Sequence, residues 1–265
     1  MGVRDWLSDP RVRAVDVDSP DLIDVHREIL ASKPIMRAVF GDFYRWARGA
    51  DERYLWGDGL RVEIGAGSGL MKEAYPDVII TDVKPSKFVD QVVDALDMPW
   101  PAASVRTVYA MHTFHHLPDP DRFFDELDRV LVPGGGCVII DPADTPFARL
   151  VYPRLFASEG YDMDQASWKA PDDVGVMWGA NQALSYVVLV RDRELFERRH
   201  PGLELVGRRR LPNYPRYLAS GGLNFRQLWP SRGAGLLRFG ERVLEPVAPV
   251  LALHQMFVIR KRGGR

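Results

Sequence analysis

The stretch Val62-Glu63-Ile64-Gly65-Ala66-Gly67-Ser68-Gly69 constrains this chain more than any other. Apolar residues lead into glycines at alternate positions, the pattern of a strand that ends in a sharp turn. Glycine lets the backbone take left-handed angles and lets a ligand approach closer than a Cβ would allow. The helix expected next would aim its free N–H groups at that ligand. The spacing is Gly-x-Gly-x-Gly, not the Gly-x-Gly-x-x-Gly that seats a dinucleotide pyrophosphate. Glu63, two residues before the first glycine, adds an anion that opposes pyrophosphate and suits an ammonium.

Strand and helix patterns alternate around this turn. Arg61–Ile64, Val78–Asp82, Gln91–Asp94, Val105–Met111 and Cys137–Asp141 read as strands. Pro120–Leu131 reads as a helix that Pro133-Gly134-Gly135-Gly136 ends. The alternation predicts an α/β fold with a doubly wound parallel sheet. Ser19-Pro20-Asp21 opens a helix carrying Leu22, Val25, Ile29 and Leu30, and a second helix covers Pro34–Arg48. Residues 1–58 are thus expected to form a helical cap, and 59–265 the main domain. A helix near 185–199 and strands near 203–211 and 256–262 continue the sheet. Two long inserts, at about 142–182 and 212–255, break the pattern and are expected to act as lid and acceptor pocket. In the second, Leu236, Phe239, Val243, Leu244, Val247, Val250 and Leu251 share one side of an amphipathic helix over 236–251. Packing onto the domain is the expected fate of that side. A membrane-surface or dimer contact is the alternative.

At 265 residues and 46% hydrophobic content the chain can bury a large core. No apolar run reaches the ~20 residues that span a bilayer. The N-terminus lacks the apolar segment of a secretory signal. The single cysteine, Cys137, allows no internal disulfide, so a reduced, cytoplasmic setting is expected. The net charge of −1 hides an asymmetry: residues 191–265 hold 16 Lys and Arg against 6 Asp and Glu, and the remainder 19 against 30. The basic part fits an anionic substrate or surface. Scattered arginines, a neutral overall balance and the lack of a nucleic-acid motif argue against a nucleic-acid partner.

In an open parallel sheet, ligands sit beyond the carboxyl ends of the strands. Those ends carry Glu63 with the glycines, then Asp82, Asp94-Ala95-Leu96, Met111-His112 and Asp141. Asp82 can accept both hydroxyls of a ribose, and Asp94 an adenine amino group. With the turn, this set fits S-adenosylmethionine. The chain here resembles the class I S-adenosylmethionine-dependent methyltransferases of small-molecule type. The resemblance rests on Glu63-Ile64-Gly65-Ala66-Gly67-Ser68-Gly69, Thr81-Asp82-Val83, Asp94-Ala95-Leu96-Asp97-Met98-Pro99, Phe114-His115-His116-Leu117-Pro118-Asp119 and Arg129-Val130-Leu131-Val132-Pro133-Gly134-Gly135. It implies a Rossmann-like, seven-stranded sheet of order 3-2-1-4-5-7-6 with strand seven antiparallel. It implies that Gly65, Ala66, Gly67 and Gly69 line the methionine, Asp82 the ribose, and Asp94 with Ala95 or Leu96 the adenine. Glu63, Val83 and Met111 complete the expected cofactor site. More faintly, the flanks resemble methyltransferases of bacterial polysaccharide and glycolipid biosynthesis, which points to a sugar or lipid-linked glycan as acceptor.

A hydroxyl or ammonium acceptor must lose a proton when methylated, which calls for a base. His112-Thr113-Phe114-His115-His116 follows strand four, and the reference histidine pKa of about 6.5 suits that role. His116 is the first candidate and His112 the second. No His-x3-His or cysteine pair supports a metal site. Trp178, Asn181, Tyr214 and Arg216 are the candidate acceptor contacts, offering a flat apolar face, an amide, a phenol and a clamp for phosphate or carboxylate. The expected function is methyl transfer to a hydroxyl, amine or carbon of a small or lipid-linked molecule, by a monomer or homodimer. The alternatives are a nicotinamide-dependent oxidoreductase, for which a Tyr-x-x-x-Lys pair is missing, and a non-catalytic cofactor-binding module.

Overall fold

The computed structural model describes residues 7–16, 19, 21–156, 159–171 and 179–263. One sheet holds β1 (Leu60–Ile64), β2 (Val78–Asp82), β3 (Gln91–Val92), β4 (Val105–Met111), β5 (Leu131–Pro142), β6 (Leu203–Leu211) and β7 (His254–Lys261). Its order is β3-β2-β1-β4-β5-β7-β6. The first five strands pair in parallel, while β7 runs antiparallel to β5 and to β6. The implied order and the antiparallel last strand are therefore present. Val62 of β1 stands opposite Ile79 on one side and Val108 on the other. The strand order reverses at this point, so a crevice opens beyond the ends of β1 and β4.

Side chains alternate across the sheet with the strand period of two. Ile80, Tyr109, Met111, Val138, Ile140, Met256 and Val258 face one buried cluster. Val62, Ile64, Val108, Ala110, Cys137, Ile139, Phe257 and Ile259 face the other. Burial on both faces explains why the central strands read as continuous apolar runs.

A one-turn helix, α1 (Pro10–Arg13), precedes α2 (Asp21–Ser32) and α3 (Pro34–Tyr54). The Ser19 hydroxyl accepts from the Asp21 N–H at the start of α2 (3.2 Å). α3 runs six residues past the predicted Arg48, because nothing in Gly49-Ala50-Asp51-Glu52-Arg53-Tyr54 breaks it. Asp51, fully buried on this added turn, accepts from Arg61 (2.8 Å), Arg106 (3.0 Å) and the Tyr109 hydroxyl (2.9 Å). The helix is thereby tied to β1 and β4. The helix after the glycine turn, α4 (Met71–Ala74), is a single turn, shorter than its expected role requires.

Behind the sheet lie α5 (Pro120–Val130), α7 (Leu184–Tyr186) and α8 (Arg193–Arg199), the last two joined by a π-helical turn over Val187–Arg191. The first insert contains α6 (Pro146–Leu155). The second contains α9 (Tyr214–Ser220), α10 (Ala234–Leu244) and α11 (Ala248–Leu251).

Three expectations need correction. Pro133-Gly134-Gly135-Gly136 does not stand between helix and strand. It lies inside β5, where the pairing shifts between Val105 opposite Leu131 and Thr107 opposite Gly136. Gly134 has φ +82°, and a Cβ there would fall 1.9 Å from the Trp56 indole nitrogen. The third strand is only Gln91–Val92, so Asp94 lies beyond it. The single helix expected over 236–251 is α10, a 3-10 turn over Glu245–Val247 and α11, and of its apolar side only Leu251 packs against the core, while Leu236, Phe239 and Val243 are 61–65% exposed. α10 is held by its polar side instead, through buried Glu241, which accepts from the Arg216 backbone N–H (3.1 Å) and Nε (2.7 Å).

Candidate active site

The glycine turn sits at the crevice. Gly65, Gly67 and Gly69 have φ of +60°, +49° and +64°, the left-handed region that only glycine enters freely. A Cβ on Gly65 would meet the Thr113 side chain at 2.4 Å, and one on Gly69 the Phe88 carbonyl at 2.4 Å. A Cβ on Gly67 would meet nothing within 4 Å. The first and third glycines thus serve the fold, while the second borders open space. Asp82 is fixed beside it by accepting the Gly67 N–H (2.8 Å) and the Lys84 N–H (2.9 Å). Each carboxylate oxygen keeps a lone pair for a further donor.

Glu63 lies beneath the turn, 1% exposed, and its Oε2 has no hydrogen-bond partner among the described residues. Burial, reinforced by the neighbouring Asp82, pushes its carboxyl well above the ordinary range. Asp94 is exposed and accepts the Leu96 N–H (2.8 Å), with Ala95 and Leu96 half-buried beside it. Val83 is exposed and Met111 buried in the sheet's core.

Because α4 is so short, the helix after the turn offers the crevice a single turn of N–H groups. α2 covers the turn. Arg27 donates to the Ser68 carbonyl and to Glu73 (2.7 Å) and stacks 4.5 Å over the Phe88 ring. No local spacing announces this contact, since Arg27 lies 41 residues before Ser68.

Five of the six histidines gather next to the turn. His112 ends β4 at φ +55°, packed edge-on against Phe43 (5.3 Å) and His254 (4.8 Å). Burial drives His112 down to about 3 and His254 well below its ordinary value, so both rings are neutral. His26, on α2, is lowered by burial to about 4 although Glu159 opposes the shift. His115 differs. Its Nδ1 lies 2.7 Å from Asp141 and its Nε2 3.3 Å from Glu159. Burial alone would lower it, but the two carboxylates outweigh burial and push it up to about 10. The cluster therefore holds one imidazolium between two acids. His116 lies against it with ring centroids 4.1 Å apart and the planes inclined at 39°. Ligand atoms of His115, His116 and Glu159 lie within 4.8 Å of one another, a grouping within reach of one cation. The sequence reading missed this grouping because Glu159 comes from the first insert. A histidine bracketed by two carboxylates is the arrangement of a protonated ring, which has no lone pair for a metal.

The acceptor candidates fare unevenly. Asn181 is buried and fully committed: its Oδ1 accepts from Asp162 N (2.9 Å) and Ala183 N (3.0 Å), and its Nδ2 donates to Asp162 O and Gln165. It staples the lid. Arg216 is buried in ion pairs with Asp42 and Glu241, so its charge is matched within the fold. Tyr214 is buried in the core cluster, its hydroxyl without a partner among the described residues. Trp178 lies outside the described residues. The aromatic wall beside the histidines comes from elsewhere: Tyr152 stacks on Tyr161 (5.5 Å), Phe156 meets Phe225 (5.6 Å), and Tyr217 meets His254 edge-on (4.4 Å). Gln182 donates to the Phe156 and Glu159 carbonyls and so ties both residues to the segment before α7.

Residues 62–139, which span the turn, Asp82, Asp94 and the histidine segment, match a family model described as a methyltransferase domain. Over those residues the chain resembles a methyltransferase domain. It is 42% identical over 50 residues to a chloroplastic tocopherol O-methyltransferase of Arabidopsis thaliana, covering 19% of this chain and 14% of that one. It is 29% identical over 106 residues to 27-O-demethylrifamycin SV methyltransferase of Amycolatopsis mediterranei (strain S699), covering 32% and 39%. The chain thus matches well under half the length of these curated relatives. Among solved structures it is similar to geranyl diphosphate C-methyltransferase from Streptomyces coelicolor A3(2), with TM-score 0.49 and 15% identity over 97% of this chain and 90% of that one.

Proposed function

We propose that this chain binds S-adenosylmethionine at the glycine turn and moves its methyl group to a hydroxyl, amine or carbon of a small molecule. The observation that carries this reading is Glu63. A buried carboxyl with an unpartnered oxygen, beside the open space at Gly67, suits a cationic ligand group. An ammonium lets this carboxyl ionise, whereas the pyrophosphate of a nicotinamide cofactor offers it no compensating cation, which disfavours that cofactor. Glu63 takes the ligand's ammonium, Asp82 its ribose hydroxyls, and Asp94 with Ala95 and Leu96 its adenine. Gly65, Ala66, Gly67 and Gly69 would border its amino-acid portion and exposed Val83 would flank the crevice, with Met111 packed in the core beneath.

When bound, S-adenosylmethionine supplies the methyl group as an electrophilic sulfonium. The residues of the chain have to align the acceptor, exclude water and handle a proton. Tyr161, half-buried against Tyr152, gives the acceptor an aromatic face. His116 accepts the proton that an acceptor hydroxyl gives up as its oxygen bonds to carbon. Glu159 steadies the resulting imidazolium. His112 is the weaker base, because its surroundings resist the charge it would have to take. The two curated relatives are named for O-methylation of tocopherol and for methylation of 27-O-demethylrifamycin SV, which supports a hydroxyl acceptor. A sugar or lipid-linked glycan is the acceptor class that the flanks suggest. Residues 1–58 act as a cap over the crevice, and the two inserts form the acceptor side.

Incubation with methyl-labelled S-adenosylmethionine and a panel of phenols, sugars and amines tests the reading. The expected result is label on an acceptor oxygen, with His116→Ala lowering kcat about 10²–10⁴-fold and leaving S-adenosylhomocysteine binding unchanged. Cofactor binding with no labelled acceptor would favour a non-catalytic binding module.

A further inference from the structure

Among the described residues no helix is long and apolar enough to cross a membrane. One segment nevertheless presents an apolar face outward. On α10, Leu236, Phe239 and Val243 recur at the i, i+3, i+7 spacing of one helix side. Leu244, Val247 and Val250 extend the face over the following turn and α11, and Leu228 and Trp229 precede it. These eight side chains are between 37% and 65% exposed. Scattered single apolar residues at a surface need no explanation, but a contiguous face of this size does.

The helix is anchored in reverse of the usual arrangement. Its buried contact is Glu241, which pairs with Arg216, itself tied to Asp42 of α3. That ion-pair chain fixes α10 with its apolar side outward.

The rim of the face is basic. Arg226, Arg232, Arg238 and Arg242 are exposed in this segment, Arg242 flanking the apolar side of α10 and Arg238 set further round towards the side of Glu241. The acids of this segment are already occupied: Glu241 by Arg216, and Glu245 by Arg209 (3.2 Å). Arg209 also belongs to a neighbouring groove that includes Arg45, Arg53 and Arg208 with Trp46 and Tyr54. A second copy meeting this face would bring like charge to like charge, with Glu245, half-exposed and paired to Arg209, as the carboxylate of the segment that could answer it. An anionic lipid surface matches both the apolar stripe and the positive rim, and Trp229 and Phe239 suit the headgroup boundary.

We propose that α10, α11 and the loop before them dock this protein on an anionic lipid surface, with Phe239 and Leu236 inserted and the arginine rim on the headgroups. The proposal goes beyond the methyl-transfer reading and does not depend on it.

Co-sedimentation of the full chain with vesicles tests it, comparing phosphatidylcholine alone with phosphatidylcholine plus phosphatidylglycerol. The expected result is binding to the mixed vesicles that weakens as salt rises and is weak or absent on phosphatidylcholine alone. The pair Leu236→Glu with Phe239→Glu should weaken it about tenfold or more, and Arg238→Glu with Arg242→Glu should do the same. These side chains are exposed, so circular dichroism should show all variants folded. No binding to mixed vesicles, or binding that both variants retain, would overturn the proposal. A concentration-dependent dimer in light scattering that Phe239→Glu abolishes, without vesicle binding, would assign the face to a second copy instead.

Discussion

The three glycines of the turn carry separable duties. Gly69 is hemmed in by the Phe88 carbonyl, whereas Gly67 borders open space. Both have positive φ, so alanine at either costs about 1–2 kcal/mol of strain. Gly69→Ala adds a backbone clash and should lose markedly more stability than Gly67→Ala in urea unfolding. Gly67→Ala should keep most of its stability but lose cofactor affinity, because its methyl would occupy the ligand's space. Equal stability losses with unchanged affinity in Gly67→Ala would contradict this assignment. The turn itself was legible in the sequence, since spacing and Glu63 are local features. Glu159 and His26 were not legible. They reach the histidines from the first insert and from α2, and no local periodicity encodes that approach.

At the scale of elements, the strands were the most legible, because residues buried on both faces leave unbroken apolar runs. The boundaries at Pro133-Gly134-Gly135 were misread because these residues normally break structure, whereas here they form the bulge that fits β5 around Trp56. The amphipathic helix was legible as a helix, but amphipathicity identifies the apolar side without saying what it faces. The attachment of α3 depends on Asp51, whose carboxyl is held below the usual range: burial would raise it, but bonds from Arg61 and Tyr109 and the charge of Arg106 outweigh burial. Asp51→Ala leaves two arginines without their shared carboxylate and should cost roughly 3–5 kcal/mol, as loss of one partner of a buried ion pair does. A loss below about 1 kcal/mol in urea unfolding would mean that the hub is no stronger than a surface pair.

At the scale of the whole molecule, the histidine cluster links stability to pH. His26, His112 and His254 have folded pKa values below the unfolded value of about 6.5. Between roughly pH 6 and 4.5 the unfolded chain binds protons at these sites that the folded chain refuses. Stability therefore falls as pH drops, by up to about 4 kcal/mol per pH unit if all three contribute fully. His115 has the opposite sign: raised to about 10, its contribution is fully present below about pH 6.5 and is lost as pH rises through 10. Urea unfolding from pH 7 to pH 5 should show a steep loss that His112→Phe reduces. A flat profile over that window would contradict the neutral, buried state of these rings.

The central claim is that the crevice at Glu63, Gly67 and Asp82 binds S-adenosylmethionine, and calorimetric titration with S-adenosylhomocysteine tests it most directly. The account predicts binding by the wild-type chain that weakens about tenfold or more in Asp82→Ala, as loss of hydrogen bonds to a charged acceptor implies. It also predicts proton release, because the ligand's ammonium stabilises the ionised form of Glu63, so the heat should vary with the buffer and Glu63→Gln should remove that variation. Absence of binding by the folded wild-type chain, with binding of a nicotinamide dinucleotide in its place, would contradict it.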